Sequence, residues 1–162
     1  MSEIKLKNPQ ELALMRQSGK LLAQVFAYLD LHIKAGLSTM QVNDLTERYI
    51  VDQLASRPAS KGQYGFKYVL NSSVNHVGCH GVPSETQILK AGDIVNIDIT
   101  LEKGGFIADS SKMYLIGEVT PEARTLVDKT YEAMWEGIKV VKPGATLGDV
   151  GYAIQRHAER NG

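Results

Sequence analysis

The stretch GDIVNIDITLEKGGFIADSSKMYLI, Gly92 to Ile116, decides how the rest of the chain is read. Ile94 to Glu102 is rich in β-branched residues and alternates, with Val95, Ile97, Ile99 and Leu101 on one face and Asn96, Asp98 and Thr100 on the other. Gly104-Gly105 suits a two-residue type I′ turn, because both central positions of that turn need positive φ. The turn predicts Lys103 opposite Phe106, Thr100 opposite Asp109 and Asp98 opposite Ser111. Both aspartates then share the polar face as diagonal neighbours, roughly 7–8 Å apart at the backbone. One more residue in the turn, or a bulge, would send them to opposite faces.

Two readings of the pair are open. Aspartates on a sheet are often solvated residues of an exposed face, yet like charges facing each other are unfavourable unless something cationic sits between them. The second reading is a divalent-cation site with hard oxygen ligands. Two carboxylates are too few to complete one, so further ligands must come from elsewhere.

The 162 residues suit one domain with a sizeable core, and 43% hydrophobic with 22% charged residues is ordinary globular composition. Eighteen basic residues balance eighteen acidic ones, so nothing points to a nucleic-acid surface. The single cysteine, Cys79, excludes an intrachain disulfide, and MSEIKLKNPQEL lacks the apolar core of a signal peptide. With no run of transmembrane length, the cytoplasm is the expected compartment.

Around the hairpin the sequence predicts two helical pairs. Asn8-Pro9-Gln10-Glu11 opens a helix with a capping box, Leu12, Met15, Leu22, Val25 and Leu29 form its core face, and Lys34-Ala35-Gly36 ends it. Ser38-x-x-Gln41 caps a second helix with Val42, Leu45, Tyr49 and Ile50 inward, broken at Arg57-Pro58-Ala59. A loop over Gly62–Phe66 and a strand over Tyr68–Val77 follow, then Gly78-Cys79-His80-Gly81-Val82-Pro83, a tight turn from which His80 protrudes. Cys79 and His80 are neighbours in extended chain and cannot form a thiol–imidazole dyad, so Cys79 reads as a small buried residue. Thr120-Pro121 opens a third helix with Val127, Tyr131, Met134, Ile138 and Val141 inward, stopped by Lys142-Pro143-Gly144. Thr146-x-x-Asp149 caps a fourth, carrying Leu147, Val150, Ile154 and Ala158. His32 and His157 are read as structural or surface residues.

The two pairs share openings, stops and caps, with Val42 and Val150 in register 108 residues apart. Read as an internal repeat, the first copy continues into strands and a carboxylate-bearing hairpin, whereas the second stops after its helices. The alternative is that helical hairpins converge on similar caps. A true repeat implies a second sheet beyond Gly162, which would bring the missing ligands.

His80-Gly81-Val82-Pro83, Gly92 to Thr100, Gly105-Phe106 and Asp109-Ser110-Ser111-Lys112 resemble the N-terminal half of a type I methionine aminopeptidase. The 18-residue step from His80 to Asp98 and the 11-residue step to Asp109 agree with that family, as do Met15-Arg16-x-x-Gly19-Lys20 and Lys142-Pro143-Gly144. The resemblance covers nearly the whole chain. It implies the α/β pita-bread fold, cut before the second pseudo-symmetric sheet: one incomplete catalytic domain, with a helical pair over 8–57, strands and hairpin over 58–118, and a second helical pair over 119–162. It also implies two divalent ions (Co, Mn, Fe, Ni or Zn), with Asp98 chelating one, Asp109 bridging both and Thr100 supporting Asp98. His80 would contact substrate near the scissile amide, and Phe66 would line the methionine pocket. Asn75 and Val77 match a stretch whose backbone carbonyls hold a monovalent cation in some members.

The implied reaction is removal of the initiator methionine from a peptide or nascent chain, at or away from the ribosome. The family's remaining ligands and its general-base glutamate belong to the second half, so this chain alone is expected to bind metal weakly and to turn nothing over. Gln63, Lys67, Ser60 and Asn71 depart from the family pattern around the pocket. A proline-specific aminopeptidase of the same fold and a non-catalytic pita-bread module are the alternatives. The open half-sandwich is expected to self-associate.

Overall fold

Helix α1 (Pro9–Asp30) starts where the sequence predicts, with the Asn8 side chain accepting from the Glu11 N–H and the Glu11 carboxylate accepting from the Asn8 N–H. The computed structural model describes residues 4–162, in two compact units, 4–118 and Val119–Gly162. In the first unit α2 (Thr39–Arg48) carries the predicted Ser38–Gln41 capping box and runs into a π-helical turn at Tyr49–Gln53. The strands are β1 (Arg57–Pro58), β2 (Leu70–Val74), β3 (Ile94–Lys103) and β4 (Phe106–Leu115).

All pairings are antiparallel and centre on β3. β4 lines one edge of β3 over its full length, so β2 and then β1 share the other edge. The turn is the two-residue one: Gly104 and Gly105 have φ of 59° and 84°, and Lys103 faces Phe106. Val95, Ile97, Ile99 and Leu101 are wholly buried, packed with Leu22, Val25 and Leu29 of α1, Val42 of α2 and Ile50. Ser18 Oγ donates to the Phe106 carbonyl at 2.8 Å, fixing α1 to the turn end of the hairpin.

That contact explains one departure from expectation. Leu12 and Met15, read as core, lie N-terminal to Ser18, where the sheet has run out, and both are exposed. α1 also stops at Asp30, short of Lys34-Ala35-Gly36, because the His32 and Ile33 N–H groups both return to the Leu29 carbonyl. The His32 ring nitrogen lies 2.7 Å from the Tyr28 carbonyl and its ring packs on Tyr28, a structural role as expected. Arg57–Pro58, read only as a helix breaker, is an edge strand, a position where proline's missing N–H costs nothing.

The strand expected over Tyr68–Val77 is confined to Leu70–Val74. Asn75 turns left-handed at φ 53°, with its amide donating to Asp93 at 2.8 Å and accepting from the Ile94 N–H at 3.0 Å. At the other end of β2, buried Asn43 accepts from the Val69 N–H at 2.9 Å. The chain then doubles back, and Gly81 lies flat against β2: its carbonyl accepts from the Ser72 N–H at 2.8 Å and its N–H donates to Ser73 Oγ at 3.1 Å. Cys79 is exposed rather than buried, because it sits on the outer limb of this loop, before the chain meets β2. Farther on, Thr39 and Ser84 exchange hydrogen bonds, and Leu89 pairs with the turn between α1 and α2.

The second unit is a helical hairpin of α3 (Pro121–Lys139), capped by Thr120, and α4 (Leu147–Arg160), opened by a Thr146–Asp149 capping box. The two helices meet through small residues. Ala133 and Gly137 are buried, and a Cβ on Gly137 would lie 2.8 Å from the Ile154 side chain. Close approach at this line turns larger side chains outward, so Tyr131, Met134, Ile138, Val141 and Leu147, expected inward, are exposed. His157 is half-buried, its Nε2 3.1 Å from Glu132 Oε2.

Two stability outcomes follow from the packing of β2. A Cβ at residue 81 would fall 2.1 Å from the Ser72 carbonyl oxygen, whereas one at Gly78 meets nothing within 4 Å. Gly81→Ala is therefore expected to cost about 3 kcal/mol or more in denaturant unfolding, and Gly78→Ala under about 1 kcal/mol. Ser72 faces the core opposite Ile97 and its hydroxyl has no hydrogen-bond partner. Since an orphaned buried polar group costs roughly 1–3 kcal/mol, Ser72→Ala should be neutral or stabilising. A clear loss of stability in Ser72→Ala would mean that the hydroxyl is satisfied in solution.

Candidate metal centre

The polar face of the sheet is built by the same alternation that fills the core. Asn96, Asp98 and Thr100 of β3 stand beside Asn71 and Ser73 of β2 and beside Asp109 and Ser111 of β4. Thr100 is registered opposite Asp109 and Asp98 opposite Ser111, as the turn predicts, so the two aspartates are diagonal neighbours on one face. Asp98 is half-buried and Asp109 exposed.

Burial raises the Asp98 carboxyl above its ordinary value, and the charge of Asp109 raises it further. The Asn71 amide and the nearby His80 oppose this. Asp109 and His80, both singled out from the sequence, thus bear on the charge of Asp98 in opposite directions. His80 itself is exposed and takes a left-handed backbone position, φ 57°, beside the Gly81 that holds its loop on β2.

Among the described residues no lysine or arginine forms an ion pair with either aspartate. A converging pair of carboxylates without a cationic partner is the donor chemistry of a divalent-cation site, and these residues fit one in hard oxygen ligands. They do not make a whole site: among the described residues no three His, Cys, Asp or Glu side chains cluster for a metal.

The remaining predicted residues lie around this centre in different ways. Phe66 is half-buried in the loop before β2, edge-on to Tyr68 at 5.6 Å between ring centroids. Asn75 spends its side chain on Asp93 and Ile94, and Val77 follows in the same turn, its N–H donating to the Val74 carbonyl. Asp93 also accepts from the Lys90 N–H at 2.8 Å, so one carboxylate ties the end of β2 to the start of β3. Sequence reasoning passed over Asp93 and Ser73. Gly-Asp before a strand and Ser-Ser within one were the available signals, and neither names its distant partner.

Comparison with known proteins agrees with this geometry. The model of metallopeptidase family M24 matches residues 13–162. A methionine aminopeptidase of Rickettsia prowazekii (strain Madrid E) is 42% identical over 158 residues, which cover 98% of this chain and 60% of the relative. The crystal structure of methionine aminopeptidase from Rickettsia prowazekii superposes with a TM-score of 0.94, covering 98% of this chain and 63% of that one. A Bacillus anthracis Xaa-Pro dipeptidase shares the fold at a TM-score of 0.83 and 19% identity, covering 97% of this chain and 42% of that one. The chain spans about 60% of the length of the curated relatives it matches. With its fold and nearly its whole length accounted for, the chain belongs to metallopeptidase family M24.

Proposed function

We propose that this chain carries one wall of the two-metal site of a methionine aminopeptidase, which hydrolyses the bond after an initiator methionine when the next residue is small. One observation carries the reading: Asp98 and Asp109 are fixed on one face by hairpin register, in a chain 42% identical to a methionine aminopeptidase over nearly all its length. In this reading Asp98 and Asp109 would hold the divalent ions, and Thr100 would support Asp98. Co, Mn, Fe, Ni and Zn are the candidate metals. Such ions, when bound, lower the pKa of a water molecule and polarise the scissile carbonyl.

The chain's own residues do the rest that lies on this side. His80, on its loop tip, hydrogen-bonds near the scissile amide and stabilises developing charge there. Phe66 lines the pocket for the methionine side chain, and the carbonyls of Asn75 and Val77 take a monovalent cation. The substrate is a peptide or nascent-chain N-terminus, met in the cytoplasm and at the ribosome. No helix among the described residues is long and apolar enough to cross a membrane. The 162 residues form one incomplete catalytic domain, and the uncovered half-sandwich self-associates. The proline-specific alternative is weaker, because the Xaa-Pro dipeptidase resembles this chain in fold at only 19% identity.

The test is methionine release from Met-Ala-Ser with Mn²⁺ or Co²⁺. The 162-residue chain alone is expected to be inactive. Joined to the part of the Rickettsia prowazekii enzyme beyond its matched residues, it should release methionine, and Asp98→Asn or Asp109→Asn should lower the rate at least about 100-fold. A folded, metal-loaded joined protein that releases none would support the non-catalytic module instead.

A second outcome concerns the metal-free protein. The Asp98 carboxyl is raised above its ordinary 3.8, so the fold holds its proton more tightly than the unfolded chain does. Stability is then lost as pH rises through that window, and the full cost stands at neutral pH. Asp98→Asn should raise the unfolding temperature in EDTA at pH 7, and the gain should vanish below about pH 3.8, where both side chains are neutral. An unchanged midpoint at pH 7 would count against the strained carboxylate.

A further inference from the structure

Asn71 of β2 is registered directly opposite Asp98 of β3, so the two side chains share the polar face. It is half-buried, and its Nδ2 lies 3.5 Å from Asp98 Oδ2, at the outer limit of a hydrogen bond. Among the described residues it is the one side-chain donor that reaches either site carboxylate. The chemistry of an amide suits this place. Its N–H steadies an ionised carboxylate without cancelling its charge, whereas an acid would add a third negative charge to a pair that already repels. An apolar residue would leave Asp98 half-buried with Asp109 as its carboxylate neighbour and no donor to orient it.

We infer that Asn71 is a positioning residue for Asp98: its amide holds one carboxylate oxygen and so fixes the ligand that takes the divalent cation. The inference rests on the metal-site reading above and assigns Asn71 no contact with the metal. Being on a strand of the core sheet, it acts from a rigid support, as partners of metal ligands generally do.

The experiment measures Mn²⁺ binding to the joined protein described above by water-proton relaxation, with metal-free unfolding temperatures as the check on folding. Asn71→Leu, close in shape but without a donor, and Asn71→Ala, which removes the amide, should each weaken Mn²⁺ binding about 10-fold. The loss should disappear in the Asp98→Asn background and persist in the Asp109→Asn background, since only Asp98 receives the amide. Mn²⁺ affinity unchanged in both Asn71 variants would overturn the inference and leave the metal site standing. So would an equal loss in the Asp98→Asn background. Failure of the parent joined protein to bind Mn²⁺ at all would instead overturn the metal-site reading, and the inference with it. If Asn71→Leu fails to fold, Asn71→Ala decides by the same cycle.

Discussion

Everything at the metal centre depends on the parity of the Gly104-Gly105 turn. Side chains alternate along a strand, so the register that buries Val95, Ile97, Ile99 and Leu101 also puts Asp98 and Asp109 together on the opposite face. The magnitudes show why the arrangement holds. Each of the four apolar side chains is wholly buried and contributes roughly 1.5–3 kcal/mol, together comparable with the net stability of a small domain, about 5–15 kcal/mol. Repulsion between two partly solvated carboxylates is a smaller quantity, a few kcal/mol at most. A one-residue slip would relieve the repulsion and expose the core, so the core wins and the carboxylates stay paired.

How much of this was legible depended on how local each determinant is. The Gly-Gly turn, the alternation of β3 and the caps at Asn8, Ser38, Thr120 and Thr146 are contained in a few consecutive residues, and each is found as read. Burial on a helix face is different, because it depends on what lies across from it. Leu12 and Met15 fit the apolar period of α1 but extend past the end of the sheet. Tyr131, Met134 and Ile138 fit the period of α3, yet α4 packs along the neighbouring line of Ala133 and Gly137. Periodicity finds the stripe and cannot say which part of it has a partner.

The site divides in the same way. Asp98 and Asp109 follow from the turn, and His80 from its glycine-flanked loop. Asn71, Ser73 and Asp93 acquire meaning only through contacts made across the fold, with Asp98, Gly81 and Asn75 respectively. The misreading of Cys79 has the same root: a small residue beside a strand looks buried until the loop is seen to press Gly81, two positions on, against that strand.

Those long-range contacts also account for the rigidity of the centre. The loop bearing His80 is clamped to β2 by both polar groups of Gly81, and the left-handed turn at Asn75 is locked to β3 through Asp93. Asp98 therefore stands on a strand whose other face forms the core, Asp109 on the β4 strand paired along its full length, and His80 on a loop clamped to β2. Moving Asp98 by an ångström would require moving β3, which the buried apolar face resists. Preorganisation of this kind is what a reaction that depends on positioned charge requires. In this chain the interactions that hold the sheet together also hold the centre in place, and they outweigh the repulsion between its carboxylates.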